Sequence, residues 1–137
     1  MQTISEHSAL IYVMVVVSAA DGSMSDRELK TMGTLIKSLP VFRGFEEHRL
    51  VTVAQECGAI LQQKDEGLDT VLGLVREALP EQLRETAYWI ALELALTDSR
   101  VMLEEVRVLD IIRRALKIDR LVAAALDRAA RARYQVV

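Results

Sequence analysis

The stretch SALIYVMVVVSAADGSMSDREL, residues 8–29, decides the fold. It opens on an unbroken apolar run from Ala9 to Ala20. Leu10, Ile11, Val13, Met14, Val15, Val16 and Val17 cover the whole circumference of a helix, and a helix that is apolar all round is buried on all sides. The β-branched residues would also permit a strand. The length of the run and a capping box at Thr3-Ile-Ser-Glu6 favour a helix from about Thr3 to Ala20. A membrane span needs about 20 apolar residues, so this shorter run reads as a core helix and the chain as cytosolic and soluble.

The run ends at the turn Asp21-Gly22-Ser23-Met24, and a second helix begins at Ser25. There Ser25-Asp26-Arg27-Glu28 forms a capping box. Leu29, Met32, Leu35, Ile36 and Leu39 make its inward stripe. The pattern then returns. Residues 84–106, RETAYWIALELALTDSRVMLEEV, again carry an apolar run into an aspartate, with a glutamate seven residues on. The pairs are Asp21 with Glu28 and Asp98 with Glu105, separated by 77 positions in both cases. At the same offset Val106, Leu109, Ile112 and Leu116 match Leu29, Met32, Leu35 and Leu39.

Between and after the two copies the pattern stays helical. Pro40 and Gly44 break the chain. A third helix covers about 46–63, with Leu50, Val53, Ala54, Cys57, Ile60 and Leu61 inward. Asp65 opens a fourth, to Leu79. Pro80 suits the first turn of a fifth, to about Leu96. A sixth runs from about Leu103 to Leu116. Asp119 caps a seventh, to about Arg133, whose alanines allow close packing. The expectation is an all-α fold of about seven helices in two pseudo-symmetric halves, about 3–63 and 81–134, within one domain over 1–137. Helices 1 and 5 are central and buried.

Composition agrees. The chain is 51% hydrophobic but only 4% aromatic, so the core is aliphatic. Six Gly and two Pro leave little room for the turns of a sandwich or barrel. The net charge of −3 gives no pull toward nucleic acid or anionic lipid. The charge is uneven: residues 1–99 carry 8 basic and 15 acidic side chains, and residues 100–137 carry 9 and 5. The basic C-terminal helix reads as a solvated face. A lone cysteine, Cys57, excludes an internal disulfide and a thiolate metal cluster.

The acidic turns are the candidate site. Glu28 is explained by its capping box alone. In the second copy Met102 replaces Ser25 and cannot cap, yet Glu105 keeps its place. Asp21 and Asp98 each follow a helix C-terminus, where the dipole disfavours an anion. A bound cation or a basic side chain would offset that cost. The EF-hand pattern fails, since Asp26 stands where its Gly belongs and Met32 where its Glu belongs. The donors Asp21, Glu28, Asp98 and Glu105 are all oxygen, which favours Ca²⁺, Mg²⁺ or Mn²⁺ over Zn²⁺. His7 is about 21 Å from Asp21 along the helix at 1.5 Å per residue and cannot join. His48 reads as a surface histidine.

ADGSMSDRE at 20–28 and TDSRVMLEE at 97–105, each between an apolar and an amphipathic helix, resemble the two signature segments of the TerB-like family. That family also takes in the N-terminal cytosolic domain of a membrane-anchored DnaJ-like co-chaperone. The resemblance implies an all-helical fold of two related halves. It implies metal binding at the acidic positions, here Asp21, Glu28, Asp98 and Glu105. It further implies a role in tellurite resistance and stress response, through protein partners that act near the membrane. The second copy departs from the pattern, with Ser99 where the usual turn has Gly.

Of the remaining residues, Glu93 sits in an apolar run, either as a buried functional acid or, the reading preferred here, on one exposed edge of helix 5. Tyr88 and Trp89 read as core or boundary aromatics. No Ser-His-Asp set, HExxH or phosphate loop is present, so a non-enzymatic role is expected. The competing expectation is a metal-free helical interaction module whose acids only cap helices.

Overall fold

The computed structural model describes residues 3–20, 24–63, 65–97 and 103–137, apart from the side chains of Leu103 and Glu104. It is all-α among these residues. The α-helices are α1 (Glu6–Ala19), α2 (Asp26–Ser38), α3 (Leu50–Leu61), α4 (Gly67–Ala78), α5 (Glu81–Leu96), α6 (Leu103–Ala115) and α7 (Arg120–Arg133). Two 3-10 turns, Pro40–Phe42 and Glu47–Arg49, link α2 to α3. Offsetting α2 by 77 positions gives the bounds of α6, and offsetting the end of α1 gives the end of α5. The helix boundaries around the two acidic segments thus recur at the sequence offset.

α1 is the axis. Every residue from Ala9 to Ser18 is buried. It packs most extensively on α5, then on α4 and α3. α5 is the second axis, buried at Ala87, Tyr88 and Ile90 through Ala95, with α7, α1 and α6 around it. The amphipathic helices close the outside, with α2 turning Met32, Leu35 and Ile36 inward.

Helix ends follow local chemistry, with some shifts from the sequence expectations. The N-cap of α1 is Ser5 rather than Thr3: Ser5 is extended (φ −73°, ψ 164°) and its Oγ accepts from the Ser8 backbone N–H. Helix α4 begins at Gly67, not at Asp65. Asp65 is left-handed (φ 59°), and a Cβ at Gly67 would stand 2.6 Å from the Ile60 carbonyl oxygen. Only glycine allows α4 to start that close to the end of α3. Pro80 is the N-cap of α5, just outside the helix. Arg84 reaches back from α5 to the Leu79 and Arg76 carbonyls at 2.9 and 3.0 Å, satisfying the end of α4. Lys117 closes α6 in the left-handed region (φ 56°), with Lys117 N–H donating to Arg114 O and Ile118 N–H to Arg113 O. Asp119 caps α7 through the Leu121 N–H at 2.7 Å.

One stripe residue is misplaced by the sequence pattern. Val106 was expected inward beside Leu109 but is 49% exposed. α6 is rotated so that Glu105, Val108, Ile112 and Leu116 face the core, a line at spacings of three and four. On α7 only Ala123 and Ala130 are buried; Ala124, Ala125 and Ala129 face solvent.

The all-round burial of α1 sets an expectation. Leu10 is fully buried and Val51 half exposed. Leu10→Ala should cost about 3 kcal/mol and Val51→Ala under about 0.5 kcal/mol, read from urea unfolding midpoints. Equal midpoints for the two variants would contradict the central placement of α1.

Candidate functional site

The first acidic segment is built on the N-terminus of α2. Ser25 is extended (φ −83°, ψ 162°), and its Oγ accepts from the Glu28 N–H at 3.1 Å. Glu28 Oε1 accepts in return from the Ser25 N–H at 3.0 Å. The reciprocal capping box expected from sequence is therefore formed. Glu28 is nevertheless mostly buried, 8% exposed, with neither carboxylate oxygen both buried and without a partner.

Glu105 holds the same station on α6, third residue of its helix as Glu28 is of α2, and it too is buried at 9% exposure. Two acids at matching places, both turned inward, are the part of the expected site that lies among the described residues. Asp21 and Asp98, like Gly22, Ser23, Ser99 and Met102, lie outside them. Among the described residues no three His, Cys, Asp or Glu side chains group as metal ligands.

A residue that sequence reasoning passed over is Ser18. It is fully buried in the last turn of α1, and its Oγ has no hydrogen-bond partner among the described residues. Its counterpart at the 77-residue offset is Ala95, which carries no polar atom. The signal was a lone Ser inside VVVSAA, three residues ahead of Asp21.

The other candidate groups resolve into structural roles. Burial pushes the Cys57 thiol up to about 12, so it stays protonated and is no thiolate ligand or nucleophile. His7 sits against Phe42 and Phe45, with Nε2 2.9 Å from the Val41 carbonyl oxygen. His48 is on the surface as expected, 3.3 Å from Glu46.

Glu93 departs from the exposed-edge expectation: it is buried at 2% exposure. Its Oε1 accepts from Arg133 Nε at 2.5 Å and from the Tyr134 hydroxyl at 2.9 Å. Burial pushes the Tyr134 phenol above its ordinary value, which keeps it a donor at neutral pH. The partners come from 40 and 41 residues away, which is why the local run could not reveal them. Glu93 thus ties the C-terminal end of α7 onto α5. Arg133→Ala should lower the thermal midpoint, whereas Arg128→Ala, exposed and outside this pair, should not. In a Glu93→Gln background the effect of Arg133→Ala should shrink, since the charge it neutralises is gone. An undiminished effect would show that Arg133 acts through other contacts.

No helix among the described residues is long and apolar enough to cross a membrane. Neither the curated proteins nor the solved structures contain a match to this sequence. The family model described as tellurite resistance protein TerB matches residues 7–129, a span that runs from the start of α1 almost to the end of α7 and contains both acidic segments. The chain belongs to the TerB family.

Proposed function

We propose that this TerB-family chain is a non-enzymatic, cytoplasmic stress-response domain of the tellurite-resistance type. It binds a divalent cation through its acidic segments and acts through a protein partner, one associated with the membrane. The observation that carries the proposal is the pair of buried carboxylates, Glu28 and Glu105, at equivalent stations of α2 and α6. Family membership supports it, as does the unpartnered buried Ser18 Oγ close in sequence to the first turn.

The donors fit a hard cation. Asp21 and Glu28 would hold it in the first copy and Asp98 and Glu105 in the second, all through oxygen. When bound, the cation would neutralise acids that otherwise sit at a helix C-terminus or in a poorly solvated place. A second reading has one specific observation in its favour. The capping box already uses Glu28 Oε1, so the acids could serve only to cap helices in a metal-free interaction module.

Thermal unfolding of chelator-stripped protein separates the two. Ca²⁺, Mg²⁺, Mn²⁺ or Zn²⁺ at about 100 times its dissociation constant would add roughly 2.7 kcal/mol, a rise of about 8–12 °C for a domain of this size. The proposal expects that rise for a hard cation in the wild type and its loss in Glu28→Gln/Glu105→Gln. Gln retains a capping oxygen while removing the charge. No rise with any cation would leave the acids as caps.

A further inference from the structure

Positive charge gathers at the end of the chain. Residues 106–137 hold eight basic and three acidic side chains, against nine and seventeen in residues 1–105. The three acids are engaged. Asp110 pairs with Arg113 and Arg114, Asp127 pairs with Arg131, and Asp119 caps α7. Arg107, Lys117, Arg120 and Arg128 are exposed and form no ion pair among the described residues. Attraction to the helix dipole accounts for cations in a last turn. It does not account for Arg120, which opens α7 where the dipole disfavours a cation.

Exposed aliphatic side chains gather in the same segment. Val106, Ile111 and Leu121 are 49%, 40% and 80% exposed, and before residue 106 Val51 is the one large apolar residue exposed among the described residues. These side chains are interleaved with the cations rather than set apart from them. On α6, away from the buried Val108 and Ile112, runs the exposed line Arg107, Ile111, Arg114. On α7, opposite the buried Ala123 and Ala130, runs Leu121, Ala125, Arg128, Ala132. Both lines keep spacings of three and four, so each is one helix face. α6 and α7 both pack on α5, and a groove with Val106 and Asp110 on one side and Asp127 and Arg131 on the other sets them side by side.

This composition decides between partners. A soluble polyanion would engage the arginines and leave Leu121 and Ile111 in water. An anionic lipid surface uses both. Guanidinium groups bind phosphate and carboxylate headgroups, and short aliphatic side chains between them enter the boundary of the acyl region.

We propose that the outer face of α6 and α7 docks on an anionic lipid surface, lying in the interface without crossing the bilayer. The lipid contact is made by this chain itself, in addition to any protein partner. The proposal rests on charge and exposure, and stands without the cation reading.

Co-sedimentation of the full chain with phosphatidylcholine vesicles, with and without about 30% phosphatidylserine, tests it. Binding should require phosphatidylserine and should be lost in about 0.5 M NaCl, where screening is short-ranged. Arg107→Gln/Arg128→Gln should weaken it roughly 20-fold, since each cation near such a surface is worth about fivefold. Lys30→Gln/Arg76→Gln removes the same charge from exposed positions of α2 and α4 and should change it far less. Leu121→Ser removes apolar surface and no charge, and should weaken binding to vesicles but not to polyglutamate. No binding that depends on phosphatidylserine, equal losses in the two charge variants, or a Leu121→Ser variant that binds vesicles as the wild type does would overturn the proposal.

Discussion

A helix with no solvent face must be surrounded, and α1 is such a helix. Ten consecutive residues, Ala9 to Ser18, are buried, so no orientation of α1 at a surface would suffice. Neighbours must approach from every side, and α5, α4 and α3 do so most extensively. α5 is buried over its second half and recruits α7 and α6 in turn. The amphipathic helices α2 and α6 are needed only to present one stripe each. The position of the two acidic segments follows from this, because each is the exit of a central helix into an outer one.

The architecture was legible because its signals are local or periodic. The all-round apolar run, the capping box at Ser25 and the 77-residue offset each survive in the coordinates. The deviations have non-local causes. Glu93 looked like an exposed edge because its neutralising partners, Arg133 and Tyr134, arrive from the far end of the chain. Val106 looked like core because α6 follows the α2 pattern, yet the helix is rotated toward Val108. Gly67 and Asp65 illustrate a third kind of cause: the start of α4 is set by how closely the end of α3 approaches, which no capping rule contains.

The acidic segments were legible in residue type and spacing, and the inward turn of Glu28 and Glu105 adds what the sequence could not supply. A capping glutamate normally lies at the surface, where water completes its solvation. Here both acids are mostly buried. The repeat also exposes where the halves diverge: Ser18 against Ala95, and Ile11 against Tyr88. Ser18 brings a buried hydroxyl that Ala95 lacks, and Tyr88 a phenol that Ile11 lacks, so matching positions of the repeat offer different chemistry.

The central claim is that α1 and α5 form the core on which all other helices depend. Native-state hydrogen exchange tests it most directly, because each amide reports the opening that exposes it. Amides from Leu10 to Val17 and from Ile90 to Leu94 should exchange only through global unfolding, with free energies equal to the equilibrium stability. Those of α2, α6 and α7 should exchange through smaller openings. Exchange of α1 or α5 through openings smaller than those of the outer helices would contradict the account.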